Sequence, residues 1–307
     1  MRKVFILFLL LFVIYMYGCA TTGFHSREYH YNKARELLEG ERYTDAVDYL
    51  TAEAKKCDDW RFYFYRGFAY YYLDKYDKAL TDYNMAIAME DEYPLLFANR
   101  GNTYFKLGKS NKAIDDYERG IELFDKGTRE RIIRGVVFQR KDIKGDYLEQ
   151  AITDETIEGK RGKAVLFYNI GYVYENKKDI KDTIINYDLA IETDDTYVPA
   201  YYRRGMTYLK KNELDKALDD FSRAVLLSPD QASLYCIRGE TYRAMKKYDL
   251  ALANFSKAIS LNPNFGRAYY CRSLTLKVLD RGDEAKVDFL KSLELGFKPS
   301  KSEIVLN

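Results

Sequence analysis

Hydrophobic positions along this chain fall into two regimes. From Val4 to Tyr17 fourteen residues run without a charge or a turn former, and Arg2 and Lys3 precede them. Beyond residue 26 the apolar positions are interleaved with polar ones at helical spacing. Leu214, Ala217, Leu218, Phe221, Ala224 and Val225 step by three and four, which draws an apolar stripe down one side of a helix. Short turns such as Leu107-Gly108-Lys109 and Lys210-Lys211-Asn212 separate one helix from the next. The pattern predicts pairs of amphipathic helices behind an apolar leader.

The pairs recur with a fixed period. Arg66-Gly67, Arg100-Gly101, Arg134-Gly135, Ile170-Gly171, Arg204-Gly205 and Arg238-Gly239 follow one another at intervals of 34, 34, 36, 34 and 34 residues. An aromatic stands three residues after each Gly: Tyr70, Tyr104, Phe138, Tyr174, Tyr208 and Tyr242. Ala79, Ala113, Ala217 and Ala251 come twelve after it, and Tyr83, Tyr117, Tyr187, Phe221 and Phe255 sixteen after it. Three further on are Ala86, Gly120, Ala190, Ala224 and Ala258, and two units close on Pro229 and Pro263. So many positions in phase resemble the tetratricopeptide repeat, a helix-turn-helix unit of 34 residues. The resemblance covers about nine-tenths of the chain. It implies an all-α fold, a right-handed superhelical solenoid. In such a fold small residues at the Gly and Ala positions let paired helices approach, and aromatics fill the spaces between units.

In this register the units run 27–59, 60–93 and 94–127, then 164–197, 198–231, 232–265 and 266–299, with a tail at 300–307. The first unit lacks the Gly, and the last replaces it with Ser273 and the following aromatic with Leu276. Terminal units are expected to be atypical, because each exposes a face that inner units bury. Segment 128–163 is a degenerate helical unit. It keeps no Ala at the close-packing position, and Gln150 and Asp154 fall where apolar residues belong. Its Arg129, Arg131, Arg134, Arg140, Lys141 and Lys144 admit a hinge or a patch for an anionic partner, but a drifted, solvated helix is the favoured reading.

The leader is short for a bilayer span of ~20 residues and has the length of a signal-peptide core. It closes on Met16-Tyr17-Gly18-Cys19, which resembles the lipobox of bacterial lipoproteins, although Tyr17 departs from the small residue usual there. The resemblance implies a signal peptide at 1–18, fatty acylation of Cys19 and a linker at 19–26. An uncleaved signal anchor and ordinary secretion are the alternatives. The lipidated chain would be held at a membrane of the bacterial envelope, the periplasmic face of the outer membrane being the expected site.

Composition narrows the function. With 47% hydrophobic and 31% charged residues the chain can build a core, so wholesale disorder is excluded. Net charge is +2, and removing Arg2 and Lys3 with residues 1–18 leaves 47 basic against 47 acidic residues, a net charge of zero. A dedicated nucleic-acid binder would be clearly basic. A neutral mature chain would also owe membrane attachment to acyl chains.

Candidate chemistry is sparse, and the expectation is no enzyme, no metal and no cofactor. There are two His against 30 Tyr. His25 and His30 stand five apart in the linker region, where helical metal-binding pairs are usually four apart. No phosphate loop, nucleophile elbow or dinucleotide fingerprint is present. Trp60 opens the second unit and reads as packing. Cys57, Cys236 and Cys271 are too sparse for a disulfide scaffold and read as buried free thiols; Cys236 and Cys271, on neighbouring helices, are expected to stay unbonded.

What remains is binding. In tetratricopeptide arrays the first helix of each unit lines a concave groove through repeat positions 2, 5, 9, 12 and 13. The resemblance therefore implies partner contacts at Phe64, Phe68, Tyr71, Tyr72, Tyr168, Tyr172, Tyr202 and Met206. Family members that clamp a C-terminal carboxylate begin the clamp with Lys at position 5. Here position 5 reads Tyr31, Phe64, Ala98, Ile132, Tyr168, Tyr202, Cys236 and Tyr270, so an aromatic groove is expected instead. The expected function is a lipid-anchored scaffold that holds a peptide or helix of a protein partner in envelope assembly, secretion or transport. The rival is a carrier of a hydrophobic small molecule or lipid.

Overall fold

The computed structural model describes residues 27–126 and 159–298. The leader 1–18, Cys19, the linker 19–26, nearly all of segment 128–163 and the tail 300–307 lie outside the described residues. Within them the chain is all-α: fourteen helices and no strand. In order these are α1 (Arg27–Glu39), α2 (Tyr43–Ala54), α3 (Trp60–Tyr72), α4 (Tyr76–Met89), α5 (Pro94–Lys106) and α6 (Ser110–Asp125). There follow α7 (Gly159–Asn176), α8 (Ile180–Thr193), α9 (Val198–Lys210), α10 (Leu214–Leu227), α11 (Ala232–Ala244), α12 (Tyr248–Leu261), α13 (Gly266–Val278) and α14 (Gly282–Glu294). Two compact units result, one of 27–126 with 159–173 and one of 174–298, and the boundary falls inside α7. Helix α7 begins at Gly159, earlier than the residue 164 at which its repeat begins in sequence.

Local chemistry sets the helix ends. Pro94 and Pro199 stand in the first turns of α5 and α9, where a missing N–H costs nothing. Asp59 caps α3 by accepting from the Arg61 N–H, and Asp179 caps α8 by accepting from that of Asp182. Every turn from the first to the second helix of a repeat places one residue in the left-handed region. These are Glu41, Asp74, Gly108, Lys178, Asn212, Lys246 and Asp280, with φ from 55° to 72°. The Asp74 N–H bonds the Tyr71 carbonyl at 3.1 Å and the Lys75 N–H bonds that of Tyr70 at 2.9 Å, the paired closure of a Schellman motif.

The expected small residues bring the paired helices together. A Cβ added at Gly101 would lie 2.7 Å from the Tyr117 ring, at Gly205 2.8 Å from Phe221, and at Gly239 2.7 Å from Phe255. Ala79, Ala113, Ala217 and Ala251 are fully buried, as are Ala86, Ala190, Ala224 and Ala258. The aromatics three residues after the Gly do not fill the core as expected. Tyr70, Tyr104 and Tyr208 are half-buried at the edge of each helix pair. There the ammonium groups of Lys78, Lys112 and Lys216 sit over their rings at 5.6, 5.6 and 5.2 Å.

A further regularity lies beside the Gly. Arg66, Arg100, Arg204 and Arg272 of the first helices grip Asp82, Asp116, Asp220 and Asp288 of the second helices with two hydrogen bonds each. A third guanidinium nitrogen reaches the preceding repeat, at Thr51, Asn84, Asp188 and Ser256 respectively. One side chain thus ties three helices together. No helix of the described residues is long and apolar enough to cross a membrane.

Candidate functional site: the first-helix face of the repeats

Position 5 does not open onto a groove in this chain. Tyr31, Phe64, Ala98, Tyr168, Cys236 and Tyr270 are all buried, and among the described residues only Tyr202 is half-exposed there. Phe64, 1% exposed, is walled in by Tyr65, Tyr83, Tyr93 and Trp60 at centroid distances of 5.3–6.3 Å. Phe68, 3% exposed, packs on Tyr72 at 4.8 Å, and Tyr168 is 4% exposed. Phe64, Phe68 and Tyr168 are therefore core residues, which corrects the sequence expectation for these three. The physical reason is size. The large rings of Phe64, Phe68 and Tyr168 turn inward and fill the space between neighbouring helices, where smaller residues would leave that space to a partner.

Of the rings that do reach the surface, Tyr71 and Tyr72 stand one turn later, at positions 12 and 13, and Tyr172 stands at position 9. In the first unit Tyr71, Tyr72 and Tyr172 are half-buried, as expected of accessible positions. Tyr72 stacks on Tyr43 at 5.1 Å and 9°, and Tyr71 meets the edge of Tyr76 at 5.6 Å. Tyr172 meets Phe105 edge-on at 5.4 Å. Phe105 was missed although the repeat register already placed it at position 12. In the second unit Tyr202 and Met206 are half-buried and lean on the Phe221–Ile237 core.

Charged groups punctuate the same face. Asp59 accepts hydrogen bonds from the Tyr31 hydroxyl at 2.6 Å and from Arg61 Nε and Nη2 at 2.9 Å each. Burial pushes the Asp59 carboxyl up, but bonds from Arg61 and Tyr31 outweigh it and hold the group below the usual carboxylate value. Burial and the bond to Asp59 push the Tyr31 hydroxyl well up. The Arg61 guanidinium lies 4.4 Å over the Tyr31 ring. In the second unit Glu175 accepts from Lys210 Nζ at 2.8 Å and from the Tyr187 hydroxyl at 2.9 Å, with Arg203 3.6 Å away.

The cysteines divide. Cys57 is half-buried. Cys236 and Cys271 are buried free thiols and unbonded, as expected. Their side chains do not point apart, however: both sulfurs meet Glu240 Oε1, at 3.6 and 3.3 Å, and Arg267 grips the same carboxylate at 2.9 and 3.0 Å. The neighbouring Cys236 sulfur and burial push the Cys271 thiol well above its ordinary value. His30 bonds the Tyr49 hydroxyl at 2.7 Å, and His25 lies outside the described residues.

Models of the tetratricopeptide repeat match residues 94–126, 198–231 and 232–265, and a further TPR repeat model matches 67–108. The matched bounds 198–231 and 232–265 coincide with the helix pairs α9–α10 and α11–α12. This chain is a tetratricopeptide repeat protein. The C-terminal part of a TPR repeat-containing protein from Cytophaga hutchinsonii is similar to it with 19% identity, over 90% of this chain and 98% of that one, at a TM-score of 0.60. A tetratricopeptide repeat protein from Parabacteroides merdae is similar with 17% identity, over 91% and 95% of the two chains, at 0.54. These likenesses show the tetratricopeptide fold. No curated protein matches the chain in sequence. Within the tetratricopeptide register the half-buried side chains of this face are thus Tyr71, Tyr72 and Phe105 at positions 12 and 13, Tyr172 at position 9, and Tyr202 and Met206 at positions 5 and 9 of the α9 repeat.

Proposed function

We propose that this tetratricopeptide protein is a non-catalytic, lipid-anchored scaffold of the bacterial envelope. It holds an extended or helical segment of a protein partner along the first-helix face of its repeats. The observation that carries the reading is the half-buried set Tyr71, Tyr72, Phe105 and Tyr172 in the first unit. A ring buries ~150–250 Å² in full, so a ring at most about a third exposed keeps at most roughly 50–80 Å² for a partner. At about 25 cal/mol per Å² that is at most roughly 1–2 kcal/mol gross per ring. Four rings offset an association cost of at least ~4 kcal/mol. Repeats present such surfaces in series, which suits a long, partly apolar ligand. The lipobox-like Gly18-Cys19 supports the anchor and, with it, a periplasm-facing place at the outer membrane.

The carrier reading has less support. A small apolar ligand needs an enclosed apolar cavity. Phe64, Phe68 and Tyr168 fill the space between helices themselves, and a cleft of about 420 Å³ in the second unit is lined by charged groups including Asp188, Glu192, Arg204 and Lys216.

The test is site-specific photo-crosslinking in the native host from Tyr71, Tyr172 and, as a control on the opposite helix, Glu118. A discrete protein adduct from the first two positions and none from Glu118 is the expected result. Equal labelling from all three, or none, would reject the face as the binding surface.

A further inference from the structure

Among the described residues one junction between repeats brings two buried thiols together. Where α9 and α11 meet, the residues at positions 5 and 9 and at position 6 of the next repeat are Tyr202, Met206 and Ile237; where α3 and α5 meet they are Phe64, Phe68 and Asn99. Between α11 and α13 the same three places hold Cys236, Glu240 and Cys271. Among the described residues it is at this junction that two thiols and a carboxylate meet.

We propose that Cys236, Glu240 and Cys271 bind a borderline-soft divalent cation of the zinc class. The three ligand atoms lie within 4.8 Å of one another. The Cys236 and Cys271 sulfurs stand 3.6 and 3.3 Å from Glu240 Oε1. A tetrahedral centre with bonds of ~2.3 Å to sulfur and ~2.0 Å to oxygen separates those atoms by roughly 3.5 Å. Two edges of the coordination polyhedron are therefore already in place, and closing the third needs only side-chain rotation. The donors come from two helices of consecutive repeats, so the ion would fasten α11 to α13.

Charge selects the metal. Glu240 and Arg267 form an ion pair, so with both thiols protonated the cluster carries no net charge. A divalent ion that expels both thiol protons leaves the buried cluster at net zero, as it was before binding. A monovalent soft ion would leave it negative. A hard divalent ion, which binds oxygen and does not displace thiol protons, would leave it doubly positive. Arg267 can keep its bond to Oε2 at 3.0 Å while Oε1 turns to the ion, which makes it an outer-shell partner that orients the ligand. The Glu240 side chain is 17% exposed, so a water can supply the fourth ligand.

The experiment titrates the purified full chain with Cd(II), then Zn(II), under a phosphine reductant. It follows the cadmium–thiolate charge-transfer absorption, proton release and alkylation of each cysteine by mass spectrometry. Expected are one ion per chain, two protons released, protection of Cys236 and Cys271 together, and a higher melting temperature. C236S/C271S should lose the band, and E240Q, which keeps shape and helical signal, should weaken affinity at least tenfold. The proposal is overturned if the wild-type chain shows no band at equimolar ion. It is equally overturned if Cys236 and Cys271 alkylate at the same rate with and without metal, a measurement that needs no variant to fold.

Discussion

Arg204 holds Asp220 through two parallel hydrogen bonds, Nε to Oδ2 at 3.0 Å and Nη2 to Oδ1 at 2.6 Å, and extends its remaining arm 2.6 Å to Asp188 of the preceding repeat. Asp220 is almost wholly buried, so its charge depends on this one guanidinium. Removing one partner of such a pair leaves an uncompensated buried charge, which costs about 3–5 kcal/mol. Arg204→Ala should therefore lower the unfolding free energy of the 174–298 unit by about 3 kcal/mol, read by urea denaturation. Arg204→Ala combined with Asp220→Asn should recover part of it. The α11–α12 repeat models the repaired state, because Arg238 there donates to Asn254 at 2.9 Å. If the double variant is no more stable than the single, charge burial is not the cause.

Asp59 and the clamp aspartates respond to acid in opposite senses. Asp59 has a folded value below its ordinary 3.8, so its stabilisation is present above that pH and is lost as pH falls through the folded value. Burial outweighs the guanidinium at Asp82, Asp116 and Asp220 and lifts them above 3.8. Their titration favours the folded state at low pH, and that contribution disappears as pH rises through the raised values. Asp59→Asn keeps a competent helix cap and removes only the charge. The difference in melting temperature between wild type and Asp59→Asn should shrink between about pH 6 and about pH 3. A difference that stays constant across that range would show that the cap, not the charge, carries the effect.

The turn between the helices of a repeat offers a stabilising change. Lys246 adopts φ 59°, where a side chain is strained by roughly 1–2 kcal/mol. Gly108 occupies the equivalent place in its own repeat without that strain. Lys246→Gly should raise stability by a few tenths to about 1 kcal/mol once the extra freedom of glycine in the unfolded chain is subtracted. A fall in the melting temperature would mean that the Lys246 side chain contributes elsewhere.

That turn also marks how far the sequence could be read. Gly67, Gly101, Gly205 and Gly239 with their partner rings were legible because close packing tolerates few residue types, so the period shows in a single chain. The left-handed position was not legible, because six of its seven described occupants are not glycine and the Schellman bonds that impose it are made by backbone. The Arg half of each clamp stood in plain view beside the Gly. Its Asp partner, sixteen residues on, was lost among many surface acids until the fold brought the two together. At the candidate face the register put Tyr71, Tyr72 and Tyr172 on first helices, and all three are half-buried. It could not say which way the rings at Phe64 and Phe68 turn, since that depends on the volume left by Tyr83 and Tyr93 across the junction.

Anchoring is tested at Cys19 alone. Metabolic labelling with a fatty acid should mark the wild-type protein, and Cys19→Ser should abolish the label and either leave the leader attached or release the chain. One acyl chain binds a membrane marginally and several bind stably, so release should be complete once acylation is lost and the leader removed. An unlabelled wild-type chain that still sediments with membranes would identify Val4–Tyr17 as an uncleaved anchor.

The last prediction separates binding from folding within one helix. Phe64 lies 1% exposed among four rings, so Phe64→Ala opens a cavity and should cost about 3–5 kcal/mol. Tyr71 is half-buried and touches Tyr72 and Tyr76 edge-on at 5.4 and 5.6 Å, contacts worth about 0.5–1.5 kcal/mol each. Tyr71→Ala with Tyr172→Ala therefore should lower the melting temperature less than Phe64→Ala does, while cutting partner capture at least tenfold. Phe64→Ala should unfold its unit at lower denaturant and, wherever the chain remains folded, retain capture. The two readouts must move in opposite order across these variants, because partner area is available only where the repeats have not already filled it. If capture follows stability through both, the half-buried rings are part of the core and the partner binds another face.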